Sequence, residues 1–506
     1  LKKFSTKKNQ LTWLAIGAVI FVIALLCALM ILPPLEAAIT VLILTAMITA
    51  IVYPKAALVL FVSYIPLEPF LLKFVPDSVY VYARYTPELL MYLLCASVVV
   101  RLWMHQKRKM HTPLDWAFVG LIAVALLSVF INVVPLVDGM LGIRQIVRFM
   151  LLFFIAVYMV PDKRFIRRLT ILMGAIVLGE SVLGIMQAAT RGALDPFFLP
   201  DQARLLGDIK LTEGTVQTWA PGTRVFGTMG RYEQLGTFLT VFMLLAVGLL
   251  YFVKKQREKW VLRCLLLVSF PALLLTLSRA AWFGFALGVL AIGGHFMKDW
   301  RIRIGSLVFI IVAVGYLAVS GLVVKTLIDT PQQGIIERFF ESFSFTRYSG
   351  EYYGMGRLFW IVNTPKIIAL SPVIGVGPSM YGAGAAAALH NTQSYDRAGL
   401  PFGVYGTEGY IDNNWLSIWG ELGTLGLLLY ITMFVILWRM AVKVWRHNHD
   451  PYVRGLALGF IGVIIAISLQ GFLGTYLEVR TLASYFWLYG GFIYVIGRKG
   501  YREQVH

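Results

Sequence analysis

Residues 406–438 read GTEGYIDNNWLSIWGELGTLGLLLYITMFVILW. The second half is a membrane helix by composition, since it carries an unbroken apolar run of the kind that crosses a hydrocarbon core. The first half places Asp412, Asn413 and Asn414 at the mouth of that span, and Glu421 nine residues further in. A polar cluster at a span end is either a helix cap or part of a site. Reading the stretch as a span with a loaded mouth decides the rest, because similar apolar runs recur along the whole chain.

The 506 residues are 58% hydrophobic and 14% charged, with a mean hydropathy of +0.75. A soluble domain carries about 25% charged residues, so the chain reads as an all-α polytopic membrane protein. About fourteen transmembrane helices are expected, near 11–32, 36–53, 56–74, 86–104, 114–134, 143–160, 167–188, 233–253, 260–278, 280–297, 303–325, 415–438, 454–473 and 480–497. Pro66 and Pro69 interrupt the third. The first follows KKFSTKK and reads as an uncleaved span. The whole chain, 1–506, is expected to form one transmembrane domain.

The net charge of +19 sorts by side. Most of the 45 Lys and Arg residues fall in alternate connections, beginning with Lys2, Lys3, Lys7 and Lys8 and ending with Arg498, Lys499 and Arg502. The positive-inside rule then puts both termini in the cytoplasm. The basic balance is a topology signal, and no nucleic-acid partner is expected. Cys27, Cys95 and Cys264 lie in apolar segments and form neither a disulfide frame nor a metal motif. No metal site and no cofactor are expected.

Two extracytoplasmic loops are large, 189–232 and 326–414, and loops of that length are usually functional. The first ends with Arg224, Arg231 and Glu233, just where a span begins. Arg279 sits in the tight turn TLSRAAWFG, near the membrane plane, where a charge needs a partner. The second loop opens with an amphipathic helix over 333–345, followed by Arg347. A further helix runs from Arg357 to about Leu370, and His390, Asp396 and Arg397 come after it. Arginine offers fixed, permanently charged donors to phosphate. Several arginines gathered at one lipid interface point to an anionic lipid head, with a diphosphate as the candidate ligand.

These residues resemble a family. Arg224-x-x-Gly227 precedes a span, SRAA stands at 278–281, and GRLFW…SPVIGVG runs from 356 to 377. Asp412, Asn413, Leu416, Glu421 and Gly423 meet a (D/H)-N-x-x-L-x-x-x-x-E-x-G pattern. Over roughly 220–440 the chain is similar to the O-antigen ligase and polymerase superfamily. The resemblance implies a GT-C-like, inverting, metal-independent glycosyltransferase of the bacterial inner membrane. Its active site would lie on the extracytoplasmic face, and its donor would be an undecaprenyl-diphosphate-linked glycan. Arg224 and Arg279 stand at positions expected to grip the diphosphate, and Arg357 fits a third basic position. Arg231, Arg347, Arg397 and Asn413 complete the expected substrate-binding set. Asp412, Glu233 and His390 are the candidate catalytic groups, Asp412 first.

Two departures matter. Ligases of the family carry His-Asn where this chain has Asp412-Asn413, and many members carry Pro-Asn where it has Tyr232-Glu233. The missing histidine favours polymerisation of repeat units over ligation to a lipid or protein acceptor. A flippase and a chain-length regulator are candidate partners besides the donor, the acceptor and the bilayer. A third reading, a transporter of the lipid-linked glycan, would call for an internal repeat, and none is visible.

Overall fold

The computed structural model describes residues 33–104, 111–200, 205–206, 209–210, 222–324, 334–404 and 409–502. The expected first span, 11–32, lies outside these residues, as do 406–408 of the opening stretch. Every other expected span coincides with a helix. These are α1 (Pro34–Val52), α2 (Pro54–Leu72), α3 (Asp77–Met104), α4 (Asp115–Ile131), α5 (Leu136–Met159) and α6 (Lys163–Ala189). They continue with α7 (Tyr232–Phe252), α8 (Gln256–Leu275), α9 (Arg279–Phe296) and α10 (Trp300–Val324). Between α10 and the last three spans lie α11 (Ile335–Glu341), α12 (Phe345–Tyr353) and α13 (Arg357–Ile368). The chain closes with α14 (Asn414–His447), α15 (Pro451–Gln470) and α16 (Arg480–Arg502).

Among the described residues, nine helices are long and apolar enough to cross a membrane: α1–α3, α5–α7, α9, α14 and α15. The expectation was about fourteen. Among the described residues the regular structure is helical, apart from a two-residue antiparallel pair, Leu205–Leu206 with Ile209–Lys210.

The centre of the bundle is α7 against α15. Gly248 and Gly459 let the two backbones meet, because a Cβ on Gly248 would stand 2.2 Å from the Gly459 nitrogen. Small residues at such crossings are how helices pack where no hydrophobic drive exists between them. α7 and α15 are accordingly the most enclosed spans, 78% and 72% buried over their apolar windows, against 12% for α1.

The sequence reading has Pro66 interrupting a span, yet α2 runs through it. A proline at 66 leaves the Val62 carbonyl without its helical donor. The Tyr485 hydroxyl of α16 donates to that carbonyl at 2.7 Å, and Thr228 donates to the Pro66 carbonyl at 2.9 Å. The neighbouring α16 thus repairs the break, as a partner must where no water is available.

The amphipathic helix expected over 333–345 is shorter, and its polar face points the other way from a solvated one. α11 stops at Glu341, and Ser344 caps α12 by accepting from the Arg347 N–H at 3.4 Å. Arg338 and Glu341 are buried, whereas Ile335 and Ile336 are 37% and 65% exposed. Ile335 and Ile336 therefore look outward, toward the lipid of a membrane protein, with Glu337 also exposed, while Arg338 and Glu341 look into the bundle beside Phe339.

The basic end of the bundle is tied by ion pairs between helix ends: Lys55 with Asp162, Lys163 with Asp450, and Arg167 with Glu258. The opposite end gathers the loops and the remaining arginines.

Candidate functional site: an arginine-lined cavity at one end of the bundle

The segment before α7 is bolted to α6. Gln187 accepts from the Phe226 and Gly227 N–H groups at 3.2 and 2.9 Å. Glu180 accepts from the Thr228 N–H at 2.9 Å and its hydroxyl at 2.6 Å. These two buried side chains fix residues 226–228, just after Arg224. The Val225 N–H then donates to the Leu275 carbonyl at 3.3 Å, joining this segment to the α8–α9 turn that carries Arg279. That turn is locked by the Trp282 indole, which donates to the Leu273 carbonyl at 2.8 Å.

Between these elements and the second loop lies a cavity of about 340 Å3. Its wall carries four arginines, Arg279, Arg338, Arg347 and Arg357, with Glu233 and Glu351. Tyr232, Tyr348 and Tyr476 line it as well, and Phe283, Phe343, Leu358 and Ile361 give it an apolar side.

Glu341 organises the cations. Its carboxylate is 0% exposed and meets three guanidinium groups: Arg279 at 3.3 Å, Arg338 at 2.9 Å, and Arg347. Arg347 also pairs with Glu351 at 2.6 Å. Within the cluster two carboxylates, Glu341 and Glu351, face three guanidinium groups, a positive field that Glu233 on the same wall opposes. Enclosure in apolar helices makes that field stronger than it would be in water.

Arg357 Nη2 donates to Asp412 Oδ2 at 3.2 Å, and the Arg357 Nε is buried with no hydrogen-bond partner among the described residues. The cap reading of Asp412 does not hold. The cap is Asn413, whose Oδ1 accepts from the Leu416 N–H at 3.0 Å while its Nδ2 donates to the Phe472 carbonyl at 3.2 Å. Asp412 has φ of +51°, a conformation that costs a non-glycine residue about 1 kcal/mol or more. That turn aims its carboxylate at Arg357.

Glu421 and Gly423, the E-x-G of the opening stretch, build the support. α14 is broken at Gly423, where φ is +64° and ψ −170°. Residues 372–377 dock into the break. Val376 and Gly377 N–H groups donate to the Gly420 and Glu421 carbonyls at 2.9 and 3.0 Å, and Thr424 and Leu425 donate back to Pro372 and Val373 at 3.0 Å. A Cβ on Gly423 would stand 2.4 Å from the Gly375 nitrogen, so glycine is needed there for space as well as for φ.

The expected site residues divide accordingly. Arg279, Arg347, Arg357 and Glu233 line the cavity, and Asp412 reaches it through Arg357. Arg224 lies one layer back, its guanidinium 4.5 Å from the centre of the Tyr232 ring. Arg231 immediately precedes α7 outside the cavity wall, and Asn413 caps α14. Arg397 and His390 are exposed and away from the cavity, with His390 packed against Phe402 at 4.8 Å. Sequence reasoning missed the roles of Arg338, Glu341 and Glu351, and of Tyr476 in the α15–α16 turn. Burial pushes the Tyr476 hydroxyl above its ordinary range, and the nearby Glu233 carboxylate adds to the effect. No group of three or more His, Cys, Asp or Glu that could hold a metal ion occurs among the described residues.

The fold and cavity define a helical membrane protein with a cation-rich pocket at one end of its bundle. Residues 264–431, from α8 into α14, match the family model described as O-antigen ligase, which supports the O-antigen ligase/polymerase superfamily. Its members are glycan-processing ligases and polymerases. The matched segment contains Arg279, the whole Glu341 cluster, Arg357 and the Gly423 break; Arg224, Glu233 and Tyr476 lie outside it. No curated protein sequence matches the chain.

Proposed function

We propose that the protein is a glycosyltransferase that joins lipid-linked oligosaccharide repeat units into a polysaccharide. The observation that carries this reading is the cavity: four arginines on its wall, three of them meeting the buried Glu341, with apolar residues on one side. Such a site suits the diphosphate of a polyprenyl-linked donor, with the sugar toward Glu233 and the isoprenoid tail toward Phe283 and Phe343. The positive-inside distribution supports an extracytoplasmic position for this end of the bundle.

In the reaction an acceptor sugar hydroxyl attacks the anomeric carbon from the face opposite the diphosphate. The new C–O bond forms as the bond to the diphosphate oxygen breaks, and that oxygen takes the electron pair. The hydroxyl proton passes to a carboxylate. The configuration at the anomeric carbon inverts. The diphosphate is already a good leaving group, so most of the protein's contribution is electrostatic, through guanidinium groups aimed at the charge that grows on it.

Glu233 is the base this geometry favours. It lines the cavity, whereas Asp412 is paired with Arg357 and orients that arginine. Asp412 in place of the ligase histidine favours polymerisation. Ligation to a lipid or protein acceptor is the second reading, favoured by the description of the family that matches.

The test mixes the purified full-length protein with undecaprenyl-diphosphate-linked repeat units. A ladder of lengthened lipid-linked products is expected, and R279A should lose it by about 10²-fold or more. Transfer only to an added lipid or peptide acceptor would select ligation. No transfer to any acceptor by a folded protein would overturn both.

A further inference from the structure

The opposite end of the bundle holds a second cavity, of about 480 Å3, between the C-terminal end of α7, the start of α8 and the start of α15. We propose that it is a binding site for the headgroup of an anionic phospholipid. Its wall carries Lys254, Lys259 and Arg454, with His449 beside them, and no carboxylate. The acids nearby are already committed. Glu258 pairs with Arg167 at 2.8 Å. Asp299 accepts from the Tyr251 hydroxyl and the Arg301 N–H, each at 3.0 Å. Asp450 pairs with Lys163 and caps α15, accepting from the Tyr452 and Val453 N–H groups at 3.0 and 3.1 Å.

Three cations therefore face one concavity with no ion-pair partner among the described residues. The cost of keeping them together falls when an anion enters. Arg454 is held in place beforehand. Its guanidinium lies 4.5 Å from the centre of the Phe252 ring, and its Nε donates to the Trp445 carbonyl at 3.2 Å. Its Nη atoms make no hydrogen bond among the described residues. A guanidinium stacked in this way presents planar donors suited to a phosphate. Lys254 and Lys259 supply mobile charge around it.

A phospholipid fits better than free phosphate because of what lies alongside. Lys259 stands on α8, whose neighbouring residues Trp260, Val261 and Leu267 are 57%, 62% and 76% exposed. This apolar face continues along the helix away from the cavity mouth. A headgroup in the cavity can thus lay its acyl chains along α8, and basic pockets at the ends of membrane helices select anionic headgroups on this principle.

The full-length protein is tested by native mass spectrometry and thermal stability with dioleoyl phosphatidylglycerol, dioleoyl phosphatidylcholine or inorganic phosphate. Phosphatidylglycerol is expected to stay bound and raise Tm, and phosphatidylcholine to do neither. The triple variant K254Q/K259Q/R454Q should weaken phosphatidylglycerol binding by about a hundredfold, given about fivefold for each basic residue. R279A, at the other end, should leave it intact. If the triple variant does not fold, K254Q/K259Q keeps Arg454 and should still lose about twenty-five-fold. Equal retention of phosphatidylcholine, full competition by millimolar phosphate, or unchanged binding in the folded lysine variant would each overturn the proposal.

Discussion

At the scale of single residues, two carboxylates compete for the role of base. If Glu233 takes the proton, E233Q should lower kcat by about 10²–10⁴-fold and leave the donor KM nearly unchanged. D412N should instead release Arg357 and act mainly on the donor KM. Steady-state kinetics on lipid-linked substrate separates the two, and the reverse pattern would return the role to Asp412. Glu341 supports a second prediction. E341Q leaves three guanidinium groups without their shared anion, and breaking a buried pair of this kind costs about 3–5 kcal/mol. A drop in Tm and a donor KM raised at least about tenfold are expected. A variant that melts with wild type and keeps its KM would show that the arginines hold themselves in place. Arg279, Arg347 and Arg357 were legible in the sequence as cations of the outer connections, Arg279 because a charge near the membrane plane needs a partner. Glu341 was not. It reads as the polar side of an amphipathic helix, and spacing alone does not say whether that side faces water or protein.

At the scale of elements, the apolar helices were legible from hydropathy, nine of them among the described residues long and apolar enough to cross a membrane, and their irregularities were not. Pro66 reads as an interruption, yet Tyr485, over four hundred residues away, repairs it. α14 reads as one continuous helix across Gly423, yet it breaks there to receive residues 372–377. Nothing local in either segment signals the other. G423A is therefore expected to be among the most damaging small changes outside the cavity. The left-handed backbone alone costs about 1–3 kcal/mol for alanine, and the Cβ also meets the Gly375 nitrogen. Reduced accumulation in the membrane and a lowered Tm check this, and wild-type Tm in G423A would mean that the docked loop can withdraw.

At the scale of the whole molecule, the two ends of the bundle differ in how their charges are used. The basic end pairs helix ends across the surface. The other end buries its ions. Glu478, in the α15–α16 turn, accepts from the Gly384 N–H at 2.9 Å and from the Gln145 amide at 3.1 Å. Burial pushes its carboxyl above the ordinary value of 4.5 despite those bonds and the Arg148 charge. The folded state thus holds this proton more tightly than the unfolded chain does. Its contribution to stability is complete below about pH 4.5 and declines as the pH rises through the folded pKa. E478Q should flatten that decline. Thermal melts of both proteins across this range give the check, and parallel curves would assign the slope to other groups. The end that bears the cavity was legible from the alternation of basic loops. Its closure by the α15–α16 turn was not, since that turn is short and carries no motif.

The Glu341 cluster also fixes an order of manufacture. A ribosome delivers Arg279 well before Glu341 and Arg347, then the Arg357–Asp412 pair, and last the turn with Tyr476 and Glu478. Early helices must enter the membrane while the arginine between α8 and α9 still lacks its counter-charge. A nascent chain halted before α14 would carry every cation of the cavity and none of the Gly423 clasp that holds the loop over them. On the function proposed above, the cavity wall is complete only once the α15–α16 turn, with Tyr476, has been made.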